Sequence, residues 1–320
     1  MKRKDVIKGN EISELYTLSL GGHPQKVLIE GKSRNLPVII TLHGGPGTPI
    51  PFSVGCRGLF PLFTDRFIMV YWDQLGCGIN DYPIGEDFSI DDFVGMTIDL
   101  IREVRRLFPG NPVHLFSTSW GSILSAMTAE REPVDGVVAC GQITRNVFFN
   151  DIVFDALSQS KLPKEKLARI RSVRIDRITD QDMKLVSGSV SKYTSGNTNP
   201  NGKKAPMGTI IKGLLTSPDY KFRDFKAIMI NGCQGNLKLW REILALDLTD
   251  VLCHVRVPYL MLQGDTDIVA ATAYVQEIAE NSNNPHLKCR VVKDCGHQPS
   301  MDMMDAVFEA LVQQTSGQTE

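Results

Sequence analysis

Residues 112–122 read Pro-Val-His-Leu-Phe-Ser-Thr-Ser-Trp-Gly-Ser, and the organisation of the remaining chain follows from them. The apolar run Val113, Leu115, Phe116 gives way to small residues at Ser117-Thr118-Ser119-Trp120-Gly121. Ile123, Leu124, Ala126, Met127 and Ala129 then recur at helical spacing. The pattern predicts a strand, a very tight turn and a helix. A serine at the apex of such a turn is pressed into sparsely allowed backbone space, so its hydroxyl stands clear of the sheet with helix N-terminal amides behind it. Ser119 is therefore the candidate nucleophile. Its motif is G-x-S-x-G with Ser117 in place of the first glycine, a small residue where room against the neighbouring strand is needed. A serine that only caps the helix fits the same local pattern, so the decision rests on the rest of the chain.

A chain of 320 residues can form one large α/β domain, or a core domain with an inserted lid. Its 42% hydrophobic and 22% charged residues are ordinary for a globular enzyme. A net charge of −1 offers no overall footprint for nucleic acid or an anionic membrane, so neither is expected as a partner. The basic start at Met1-Lys2-Arg3-Lys4 leads into Gly9-Asn10-Glu11, and no later run reaches membrane-spanning length. A cytoplasmic location is expected. The seven cysteines show no C-x-x-C pair and no Cys/His ligand spacing, which predicts reduced thiols instead of disulfides or a metal site.

Short apolar stretches separated by Gly21-Gly22 and Gly31 predict a hairpin that feeds a buried strand at Val38–Leu42. That strand ends in His43-Gly44-Gly45-Pro46-Gly47. Glycines there bring amides close to a ligand, so Gly44 and Gly45 are expected to form an oxyanion hole with the amide of Trp120. A second strand, Phe67–Trp72, runs into Asp73-Gln74-Leu75-Gly76-Cys77-Gly78, where Asp73 is expected to fix the loop by hydrogen bonds. Residues 89–108 predict an amphipathic helix and 134–139 another strand. This rhythm implies a mainly parallel, doubly wound sheet with helices on both faces.

The rhythm stops between 146 and 247, where helical patches at 147–157, 164–173, 180–192 and 237–246 flank a polar segment at 194–208. We read 146–247 as a helical cap inserted into a core formed by 1–145 and 248–320, with disorder expected at most over 194–204. The sheet resumes at 258–264 and 289–292. Asp265-Thr266-Asp267 follows one strand and Gly296-His297 the other, at the same sheet edge as Ser119. The chain order Ser, Asp, His is that of α/β-hydrolase triads. His297 is the candidate base and Asp267 its orienting acid, with Asp265 as the rival.

Five ordered motifs carry a family resemblance: His-Gly-Gly-Pro-Gly (43–47), Asp-Gln-x-Gly-x-Gly (73–78), Ser-Trp-Gly-Ser (119–122), Gly-x-x-Asp (264–267) and Gly-His (296–297). The chain resembles the proline iminopeptidase family of α/β-hydrolases. That resemblance implies a lidded serine hydrolase without metal or cofactor, an aminopeptidase removing N-terminal proline or small residues from short peptides. Ser117, Leu75 and Ile268 depart from the family's usual glycine, arginine and, in one branch, glutamate. An exopeptidase needs a carboxylate for the substrate ammonium, and Glu242, Asp151 and Asp155 are candidates for it. Alternatives are an esterase, lactonase or amidase acting on an uncharged small molecule, and a non-catalytic ligand-binding protein on the same scaffold.

Overall fold

The computed structural model describes residues 2–317; Met1 and 318–320, the outer limits of the two expected core segments, lie outside them. Eight strands form one sheet: β1 (Ile12–Leu20), β2 (His23–Gly31), β3 (Val38–Leu42), β4 (Ile68–Tyr71), β5 (Val113–Thr118), β6 (Gly136–Cys140), β7 (Tyr259–Gly264) and β8 (Leu287–Val292). Their order is β1-β2-β4-β3-β5-β6-β7-β8. β1 and β2 form the expected hairpin, β2 is antiparallel to β4, and every other pairing is parallel.

Burial on both faces explains why the central strands read as near-continuous apolar runs. Along β3, Val38, Ile40 and Leu42 join the larger core while Ile39 points into the smaller one, the two-residue alternation of a strand. Helices α1 (Arg3–Gly9), α2 (Pro61–Thr64), α3 (Ile90–Leu107) and α4 (Trp120–Arg131) precede β6. α3 begins where expected because Ser89 and Asp92 form a reciprocal capping box. It packs with α4 on the larger core.

Between β6 and β7 no strand of the sheet occurs. Arg145 and Asp247 form an isolated antiparallel bridge that pins the ends of this insertion together. Seven helices lie between them: α5 (Asp151–Ser158), α6 (Lys164–Arg171), α7 (Asp180–Tyr193), α8 (Met207–Leu215), α9 (Phe222–Met229), α10 (Gly232–Gly235) and α11 (Leu237–Ala245). α5 starts later than its apolar pattern suggests because Asn150 caps it, its side chain accepting from the Val153 amide at 2.8 Å. α8, α9 and α10 were not legible as helices. Past the insertion come α12 (Thr249–Cys253), α13 (Thr272–Asn281) and α14 (Met301–Thr315), the last covering the smaller core with α2.

Val153, Leu157, Val186, Leu239 and Ile243 of the insertion are continuous with the larger core, so α5, α7 and α11 are packed as firmly as the core helices. α8 and α9 bury their inner faces in a separate small cluster of Cys56, Ile210, Leu214 and Ile228.

Candidate active site

Ser119 stands between β5 and α4 with φ 47° and ψ −118°, a backbone conformation that costs a non-glycine residue about 1–3 kcal/mol. The surrounding residues enforce it. A Cβ on Gly121 would strike the Leu42 carbonyl, so the turn closes only with glycine there. Ser117 fits because its hydroxyl is satisfied: its Oγ lies 2.8 Å from Ser125 Oγ, which is 3.1 Å from the Tyr259 hydroxyl, and Tyr259 donates to Gln142 Oε1 at 2.7 Å. A buried hydroxyl left without partners would instead cost about 1–3 kcal/mol.

Three chain segments meet at this turn. Ser119 Oγ is 2.8 Å from His297 Nε2, and His297 Nδ1 is 2.8 Å from Asp267 Oδ2. The carboxylate accepts, which puts the imidazole proton on Nδ1 and leaves Nε2 to take the Ser119 hydroxyl hydrogen. Asp267 is itself fixed, its Oδ1 accepting from the amides of Val269 at 2.9 Å and Ala270 at 3.0 Å. Asp265 is exposed and does something else: its Oδ1 accepts from the Cys295 amide at 3.0 Å, anchoring the loop that carries His297. The two loops approach so closely that a Cβ on Gly264 would meet the Cys295 carbonyl. Cys295 is buried, and burial pushes its thiol up from its ordinary value.

Gly44, Gly45 and Trp120 line the cavity beside Ser119. Trp120 is the first residue of α4, so its amide has no acceptor within the helix. The glycine loop is held by His43, whose Nδ1–H donates to the Gly44 carbonyl at 2.9 Å while Nε2 accepts from the Gln74 amide at 2.9 Å. Burial pushes this imidazole down to about 4, so it stays neutral and keeps both bonds. Gln74 Oε1 accepts from Trp120 Nε1 at 2.7 Å. One buried chain thus ties the glycine loop, the Asp-Gln turn and the serine turn together. No role for His43 or Gln74 follows from the sequence patterns above; their position inside two ordered motifs is the signal. Asp73 fixes its loop as expected, accepting from the Val54 and Ile79 amides at 3.0 Å each and from the Tyr220 hydroxyl, and burial raises its carboxyl to about 6.

The polar segment, the one stretch of the insertion where the sequence leaves room for disorder, is a strap over the His297 loop. The His297 amide donates to Gly196 O at 2.9 Å, Gln298 N to Asn197 O at 2.8 Å, and Met301 N to Lys203 O at 2.9 Å. A Cβ on Gly296 would lie 2.8 Å from the Asn197 carbonyl carbon and 2.9 Å from Ser195 O. These bonds use backbone groups, which composition does not reveal.

The expectation for the insertion's acids is corrected. Glu242 Oε2 accepts from the Ile90 amide at 2.8 Å, capping α3, where the positive helix end favours a carboxylate. Asp151 and Asp155 are exposed on α5. None of the three lines the cavity. The acids that do are Asp180, Asp294 and Asp305, with Asp180 paired to Lys184 at 2.5 Å. The cavity measures about 1090 Å³, at the upper end for small-molecule sites. Val147, Phe148, Met183, Trp240 and Ile243 form one apolar wall, and Phe60, Phe63, Met304 and Phe308 another. Among the described residues no group of three or more His, Cys, Asp or Glu is placed to hold a metal ion. Such a constellation can pass a proton from a serine hydroxyl to an imidazole while unpaired amides face the developing oxyanion.

The model of the alpha/beta hydrolase family matches residues 39–310. "Probable aminopeptidase YbaC" of Bacillus subtilis is 23% identical over 301 residues, 91% of this chain and 92% of its own. The proline iminopeptidase of Neisseria gonorrhoeae is 39% identical over 114 residues, only 35% of this chain and 34% of its own. Among solved structures, VinJ superposes with a TM-score of 0.66 at 19% identity over 96% of this chain and all of its own. The CarC serine hydrolase of carbazole degradation gives 0.61 at 18%, covering 95% of this chain and 99% of its own. These likenesses agree with the parallel sheet, the strained serine turn and the loops that meet on it: the chain belongs to the alpha/beta hydrolase family.

Proposed function

We propose that this chain is a serine hydrolase in which Ser119 attacks a substrate carbonyl, His297 takes and returns the proton, and Asp267 holds the imidazole and stabilises its charged form. The unbroken chain of hydrogen bonds from Ser119 through His297 to Asp267, opening on the cavity, carries this reading. The amides of Trp120 and of Gly44 or Gly45 receive the oxyanion, and residues 146–247 serve as the cap that excludes water from the acyl-enzyme. Ser119→Ala should abolish labelling by a fluorophosphonate probe together with turnover, a loss on the order of a million-fold where nucleophile and base act as a unit. Labelling that persists in the variant would overturn the assignment.

For the substrate we infer short peptides with an N-terminal proline or small residue, supported by the aminopeptidase name of a relative matched over nine tenths of the chain. The ammonium group then has to meet Asp294 or Asp305, since Asp180 is already paired. A second reading, an esterase, lactonase or amidase for an uncharged molecule, is favoured by the apolar walls, by the exposure of Asp151 and Asp155 and by the use of Glu242 as a cap of α3. Paired prolyl or alanyl anilides, free and N-acetylated, separate the two when assayed beside short aryl esters. A peptidase cleaves the free amine much faster; equal rates within each pair, or cleavage of esters alone, would defeat it. No turnover and no probe labelling would leave a binding protein.

A further inference from the structure

The insertion carries an apolar surface that its own fold does not cover. Nine large apolar side chains are exposed among the described residues, and seven of them belong to Leu62 or to the segment 207–230. On α8, Ile210 and Leu214 are buried while Met207, Ile211 and Leu215, at four-residue spacing, form a second stripe that faces solvent. A helix that is apolar on both sides belongs between two apolar phases, and here only the inner one is present. Just beyond α8, Phe222 is 76% exposed, Met229 64% and Ile230 72%, values far above those of packed side chains.

Charge says what the missing phase is. Residues 203–230 contain six cations, Lys203, Lys204, Lys212, Lys221, Arg223 and Lys226, against two acids, Asp219 and Asp224. All six cations are exposed, and two of them are paired, Lys203 with Asp302 at 2.7 Å and Arg223 with Asp224 at 3.3 Å. Both acids are turned inward and used: Asp219 accepts from Arg57 at 2.7 and 2.9 Å, and buried Asp224 accepts the Lys221 amide at 2.8 Å. Lys212 and Lys226 form no ion pair with any described residue. A chain with a net charge of −1 therefore concentrates positive charge beside its largest apolar exposure. Apolar side chains with lysines around them are the composition that settles at an anionic membrane surface, where each supplies part of the binding. A protein partner of ordinary polarity would leave the cations without matching charge.

The surface is also continuous with the cavity. Met207 from α8 and Leu62 from α2 line the cavity and are exposed at 40% and 68%. We propose that the outer face of α8 and α9 docks on an anionic lipid surface, so that the cavity mouth between Leu62 and Met207 lies against the bilayer and apolar molecules enter without crossing water. The inference concerns this face and stands independently of the reading of Ser119.

The test is sedimentation of the full chain with sucrose-loaded vesicles of phosphatidylcholine alone and of equimolar phosphatidylcholine and phosphatidylglycerol. We expect cosedimentation with the anionic vesicles only, weakening as salt is raised. Lys212→Gln with Lys226→Gln should weaken partitioning about thirty-fold, the loss of two charges near the surface. Ile211→Asn with Leu215→Asn should abolish it, while circular dichroism and, where the wild type labels, Ser119 probe labelling stay unchanged. Ser119→Ala should bind vesicles like the wild type, which separates this inference from the catalytic one. Absence of binding, equal binding to both vesicle types, or a dimer in light scattering that Ile211→Asn dissociates would overturn it.

Discussion

The serine turn and helix α8 line the same cavity, and the turn and the α8–α9 pair are built in opposite ways. Around Ser119 the side chains that set the geometry are all bonded, namely the Ser117 hydroxyl, the His43 ring, Gln74 and both Asp267 oxygens, and no Cβ fits at Gly121. At α8–α9 a cluster with four buried residues holds two helices while six large apolar side chains of 207–230 face outward. Chemistry that needs atoms placed within fractions of an ångström calls for the first kind of packing. A surface that must receive an apolar molecule calls for the second. The insertion itself is divided, since its strap at 194–203 belongs structurally to the site and α8–α9 do not.

That division can be broken by substitution, beginning at the site. Asp267→Asn should lower kcat by about 10⁴-fold by stabilising the wrong imidazole tautomer. Asp265→Asn should cost only a small part of that, because its contact with the Cys295 amide holds the loop and touches no ring atom. Steady-state kinetics on any cleaved ester or anilide decides it, and a reversed order would exchange the two roles.

The strap is tested next. Gly296→Ala places a methyl against the backbone of Asn197 and Ser195, which must lift the strap or displace His297. A shift of the base by about 1 Å is worth roughly 10²-fold, so kcat should fall by that order with KM little changed. Faster hydrogen exchange at the His297 and Gln298 amides should accompany it. Gly188→Ala, on α7 with open space around it, is the matched control and should leave both readouts intact. Equal behaviour of the two variants would mean that the strap does not position the base.

The smallest expected effect lies inside the core, at Glu30 of β2. Glu30 is buried, its two oxygens accept from the Gly58 amide at 2.9 and 3.0 Å, and burial raises its carboxyl to about 7 from the usual 4.5. The folded state therefore holds this proton more tightly than the unfolded state. Its contribution to stability is full below about 4.5 and is lost as pH rises through about 7. In denaturant unfolding, Glu30→Gln should flatten the decline over that window, gaining on the wild type as pH rises; an unchanged slope would refute the assignment.

Much of this was legible from sequence because the constraints were local. A strand of Val38–Leu42 ending in two glycines, and small residues around Ser119, state their backbone requirements within a few positions. The fold, and the proposed nucleophile and base, follow from such patterns and from their order along the chain. What the sequence alone could not decide was which way side chains point once distant segments meet. Asp265 and Asp267 are two residues apart, and only the turn after β7 aims the second at His297. By sequence Glu242 is one of three candidate substrate acids, and only the packing of α11 against the start of α3 makes it a cap. The strap is bonded through backbone groups that carry no residue signature. α8 escaped because a helix apolar on both sides has no polar face to mark its period, and its exposure is a property of its neighbours.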